Sequence, residues 1–104
     1  MTYVRACAAS ELPDEGALRV EIDGTPIVVV RSDGEVFALY DECSHAQVAL
    51  SEGDVYDGTI ECWLHGSCFD LRSGKPTALP ATKPVPTYPA KIDGDDVLVS
   101  LHDD

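Results

Sequence analysis

Four Asp-Gly dipeptides, at Asp23-Gly24, Asp33-Gly34, Asp57-Gly58 and Asp93-Gly94, each stand between two short runs of apolar, largely β-branched residues. Glycine tolerates the positive φ that a tight hairpin demands, so each pair reads as a turn between antiparallel strands. The runs they separate include ALRVEI, PIVVVR, EVFALY, DVY, TIEC, VPTYPAKI and DVLVSL, none of them spaced as a helix face would be. A chain punctuated this way is predicted to be all-β, an antiparallel sandwich or barrel.

Only AASELPDEGA has room for a helical turn, and Pro13 and Gly16 keep it short. Proline gathers late, at Pro76, Pro80, Pro84, Pro86 and Pro89, which reads as a stiff extended loop rather than a central strand, and such a loop suits a lid. No repeat, long linker or low-complexity tract divides the chain. Residues 1–104 are therefore read as one domain, with the thin core expected at this length.

Seven basic residues against nineteen acidic ones give a formal charge of −12. Such a surface repels phosphate backbones and anionic lipid, which excludes nucleic acid as a partner and favours a basic docking surface. The longest apolar segment, Ile27 to Val30, is far too short to span a bilayer, and no basic flank precedes an apolar run. The expectation is a soluble cytoplasmic protein with no membrane contact, whose reducing compartment makes metal ligation a better use than disulfides for two of its four cysteines.

Two boxes carry that chemistry. CSH at Cys43 to His45 follows the strand-like EVFALYDE, and CWLH at Cys62 to His65 follows DGTIE, so each places one cysteine and one histidine where a strand gives way to a loop. Thiolate and imidazole are ligands that transition metals select, and two loops at one end of a β-framework can face each other. One such residue alone is most simply filler, but four, paired twice, make a candidate metal centre. A structural zinc accepts the same four residues, though its usual pattern puts both cysteines on one element and both histidines on another; mixed pairs suit a binuclear 2Fe-2S cluster.

The C-x-H and C-x-x-H boxes, the trailing HGSCFD and the proline-rich stretch after Gly74 together resemble Rieske-type ferredoxins over nearly the whole chain. The resemblance implies a Rieske-like fold with a cluster-binding part at about residues 41–82, made of two ligand loops and a proline loop from Lys75 to Pro80. It implies one Rieske-type 2Fe-2S cluster, with Cys43 and Cys62 on one iron and His45 and His65 on the other. Ser67 would donate to a bridging sulfide, and Trp63, Gly66, Phe69 and Pro80 would surround the cluster and exclude water. Imidazoles make the site less negative than thiolates would, which eases electron uptake at the histidine-bound iron.

Departures from the pattern narrow the subtype. Val48 and Leu64 stand where respiratory Rieske proteins carry a disulfide between the loops, Gln47 replaces the usual glycine of the first box, and Phe69 stands where high-potential members have a tyrosine. Fewer donors and a negative surface imply a potential in the lower half of the roughly −150 to +300 mV Rieske range. Cys68 is expected to be a bystander, Cys7 a small core residue and His102 an exposed residue of the acidic tail.

With His45 and His65 committed, only His102 remains for a second iron site, and no glycine-rich nucleotide fingerprint is present. The resemblance therefore implies an electron carrier without a catalytic site of its own. It would be a monomer passing single electrons from a flavin-dependent reductase to the terminal oxygenase of a multicomponent aromatic-ring dioxygenase. A regulatory or assembly-linked Rieske protein, a protein like the small subunit of nitrite reductases, and a structural zinc module are the competing readings.

Overall fold

Ile27, Val28, Val29 and Val30 form four apolar residues in succession, a pattern that a strand satisfies only by burying both of its faces. The computed structural model describes residues 3–43, 48–63, 66–77 and 83–101, and all four of these side chains are fully buried in it. Among the described residues the strands are β1 (Val4–Ala8), β2 (Gly16–Ile22), β3 (Thr25–Ser32), β4 (Glu35–Tyr40), β5 (Asp54–Tyr56), β6 (Thr59–Glu61), β7 (Cys68–Asp70), β8 (Thr87–Tyr88), β9 (Ala90–Asp93) and β10 (Asp96–Val99). Short 3-10 turns at Ala9–Glu11 and Leu50–Glu52 complete the regular structure.

These strands form three antiparallel sheets, ordered β1-β10-β9, β2-β3-β4-β8 and β5-β6-β7. Side chains alternate across β3, so Ile27 and Val29 face one core with Cys7, Leu12, Ala38, Val97 and Val99. Val28 and Val30 face the other, with Leu39, Leu50, Ile60, Phe69, Cys43 and Cys62. The central sheet is thus a wall shared by two cores, and both box cysteines lie on the same side of it. Each large aliphatic side chain buried there contributes about 1.5–3 kcal/mol relative to exposure.

The hairpins follow the Asp-Gly pairs, with one shift. Asp23, Asp33 and Asp57 have φ of 51–52° and the glycines after them 72–79°, the two left-handed residues of a type I′ turn. At the fourth pair Asp93 instead ends β9 opposite Asp96, so the turn is Gly94-Asp95 with only Gly94 at positive φ, as in type II′. The proline-rich stretch is largely irregular, as expected, yet Thr87–Tyr88 pairs with the edge of β4. Flanking prolines lack donors but keep acceptors: Tyr40 N donates to Pro86 O and Ser100 N to Pro89 O. Strand β7 was not anticipated, because three residues inside a motif carry no period of their own. No helix among the described residues is long and apolar enough to cross a membrane.

Candidate metal centre

β4 ends three residues before Cys43 and β6 directly before Cys62, and the two loops that follow are closed in the same way. The amide of Cys43 donates to Val48 O at 2.9 Å, and the amide of Cys62 donates to Ser67 O at 2.6 Å. Each cysteine thus bonds to the carbonyl five residues on, so the two loops have equal span; Gly66 N, returning a bond to Cys62 O at 3.0 Å, tightens the second. His45, His65, Gln47, Leu64 and Pro80 fall outside the described residues, as does His102. Among the described residues no cluster of three or more potential metal ligands gathers.

The described half of the ligand set fits a metal centre. Cys43 and Cys62 are 2% and 0% exposed within one apolar cluster, and none of Cys7, Cys43, Cys62 and Cys68 is joined in a disulfide. A buried thiol is deprotonated readily only where a cation offsets the charge, so two thiols at the mouths of matched loops suit shared coordination. Cys7, in the other core, behaves as expected of a small hydrophobe, with its thiol pKa pushed up by burial and then by Glu11.

Asp41 organises the first loop from beneath. Its carboxylate is fully buried and accepts Ser51 N at 2.7 Å, Ser51 Oγ at 2.7 Å and the Arg19 guanidinium at 2.9 Å. The bonds tie the end of β4 to the Leu50–Glu52 turn that follows the loop. Sequence reasoning missed this residue, since the Asp41-Glu42 pair after a strand looks like any solvated charge and nothing local separates the two.

Around the second loop the expectations divide. Phe69 is fully buried in the same apolar cluster as Cys43 and Cys62, Ser67 is fully buried, and Gly66 takes φ +77°. Trp63 does not pack inward: it is 52% exposed. Ile60 points into the core, so alternation along β6 carries Glu61 outward, and Trp63 lies beyond the strand's end. Cys68 is no simple bystander either, because the Tyr56 hydroxyl lies 3.5 Å from its sulfur and 2.9 Å from Glu61 Oε1.

The start of the proline loop is anchored at both ends. Pro76 bridges to Phe69, Thr77 N donates to Cys68 O at 2.7 Å, and Val85 N donates to Gly74 O at 2.9 Å. Gly74 sits at φ +74°, where a Cβ would stand 2.2 Å from Val85 O, so the proline segment approaches the chain here only because a side chain is absent.

Comparison with known proteins agrees with this geometry. The Rieske [2Fe-2S] domain matches residues 2–89. The chain is 46% identical over 101 residues to the ferredoxin component of biphenyl 2,3-dioxygenase from Rhodococcus jostii, covering 97% of this chain and 94% of that one. The ferredoxin of carbazole 1,9a-dioxygenase from Nocardioides aromaticivorans superposes with a TM-score of 0.90 at 37% identity, over 96% of this chain and 98% of that one. A chain from the complex of reduced oxygenase and oxidised ferredoxin in carbazole 1,9a-dioxygenase gives a TM-score of 0.87 at 31% identity, over 94% and 92% of the two. Two buried thiols on matched loops, an all-β framework and this likeness along the whole chain lead to one conclusion: the protein belongs to the Rieske 2Fe-2S family, and its cofactor is a Rieske-type 2Fe-2S cluster.

Proposed function

We propose that this protein is a soluble, cytoplasmic one-electron carrier, a single domain over residues 1–104, that takes electrons from a flavin-dependent reductase and delivers them to the terminal oxygenase of an aromatic-ring dioxygenase. The pair of buried thiols at the mouths of two equal, hydrogen-bonded loops carries the reading. The bound cluster supplies a one-electron couple. Cys43 and Cys62 would hold one iron and His45 and His65 the other, while the apolar residues packed against the thiols exclude water from them. The chain performs no substrate chemistry itself.

Relatives support the partners: one is named a ferredoxin component of biphenyl 2,3-dioxygenase, and another matching chain comes from a complex of oxygenase and ferredoxin. Contacts of that kind are small and brief, which suits a monomer.

Visible absorption and electron paramagnetic resonance after dithionite reduction test the reading. A red-brown protein with the low average g of a cluster bound by cysteine and histidine is expected, with a midpoint in the lower half of the roughly −150 to +300 mV range. Cys43→Ser and Cys62→Ser remove the colour, and Cys7→Ser keeps it. A colourless protein holding stoichiometric zinc overturns the carrier.

A further inference from the structure

We propose that Tyr56, Glu61 and Cys68 form a clip that fixes the stem of the second ligand loop, a positioning role that rests on the electron-carrier reading above. Asp54, Glu61 and Cys68 occupy one row across β5, β6 and β7, and Tyr56, two residues beyond Asp54, lies on the same outward face. Ile60 and Phe69 point the opposite way, into the core. The Glu61–Cys68 pair is the last rung of the ladder before the loop that Cys62 opens.

Proton counting assigns the direction of each bond. The Glu61 carboxylate only accepts, so the single phenolic proton of Tyr56 goes to Glu61 Oε1 at 2.9 Å. The Cys68 thiol is then the donor, sharing its proton between Tyr56 Oη at 3.5 Å and Gly66 O at 3.8 Å. Gly66 N donates in turn to Cys62 O at 3.0 Å.

A closed circuit results. It leaves the chain at Glu61, one residue before the ligand Cys62, crosses the outside of the sheet through Tyr56 and Cys68, enters the loop at Gly66 and returns to Cys62. β5, β6 and β7 have only three residues each, so the backbone ladder at the stem is short. The clip adds a constraint from the solvent side, and so sets how Cys62 is presented to the metal.

The test uses the cluster-loaded protein in five forms: parent, Tyr56→Phe, Cys68→Ala, Cys68→Ser and the Tyr56→Phe/Cys68→Ala double variant. Two quantities are read, the paramagnetic resonance line shape after reduction and the rate of iron release to a chelator. Each of Tyr56→Phe and Cys68→Ala is expected to broaden the signal and speed release about two- to tenfold, the factor one hydrogen bond is worth. Cys68→Ser, which restores a donor, should return both readings to the parent, and the double variant should be no worse than the more severe single one.

Variants indistinguishable from the parent overturn the clip. So do independent, multiplying effects that serine fails to rescue, since those are two packing defects rather than one circuit. A parent lacking the Rieske signal overturns the carrier reading and the clip with it, whereas a normal parent with unmoved variants removes the clip alone.

Discussion

At the scale of single residues, the first ligand loop depends on Asp41 more than on any residue inside it that the structure describes. Its buried carboxylate is the acceptor for both polar groups of Ser51, while its partner Arg19 is 47% exposed and can turn to water. The two partners are therefore unequal. Asp41→Ala should cost about 1–3 kcal/mol, because it strands the Ser51 donors; Arg19→Ala should cost less, because the buried carboxylate keeps both Ser51 donors. Urea melts of the two variants check the order, and equal losses would show that the ion pair rather than the backbone tie matters. The motif that exposed Cys43 and Cys62 was readable because ligands recur at fixed spacing, whereas Asp41 acts on a residue ten positions away and leaves no local mark.

At the scale of elements, the proline segment shows how one missing side chain positions a stretch of chain. Gly74 combines φ +74° with a Cβ position 2.2 Å from Val85 O, while Gly24 has φ +79° but nothing within 4 Å. Alanine at either site incurs the left-handed strain of about 1–3 kcal/mol, but only at Gly74 must backbone also move. Gly74→Ala is thus predicted to lower the Tm more than Gly24→Ala and, by displacing Val85 from the core it shares with Cys43 and Cys62, to be the one that hastens loss of visible absorbance on storage. Equal melting points would refute the close-approach argument. Gly74 was noticed in the sequence only as the start of the proline stretch; its contact with Val85 joins segments that no local pattern relates.

At the scale of the whole molecule, three sheets divide the labour. The β1-β10-β9 sheet packs on the face of the central sheet away from Cys43 and Cys62, so its core stabilises the fold without including either thiol. On the other face the β5-β6-β7 sheet packs in one core with Cys43 and Cys62. Over all of this lies a charge of −12. Electron transfer to a basic acceptor such as cytochrome c should therefore be fast at low ionic strength and slow steeply as salt rises past about 0.1 M, where the screening length falls to about 10 Å. Stopped-flow rates that stay flat with salt would show that charge does not steer the encounter.

What the sequence determined by itself were the features whose cause is local or periodic. Three of the four Asp-Gly pairs set their hairpins because left-handed backbone is a property of one or two residues, the β-branched run from Ile27 to Val30 announced a strand, and paired Cys and His boxes announced the metal because coordination chemistry limits which side chains serve. Tertiary structure alone decided which core received the thiols, that Asp41 rather than Glu42 turned inward, that Trp63 faced water and that Cys68 met Tyr56. Those outcomes depend on which distant strand arrives opposite a residue and how much room is left there, a matter of packing between segments that are neighbours in space and not along the chain.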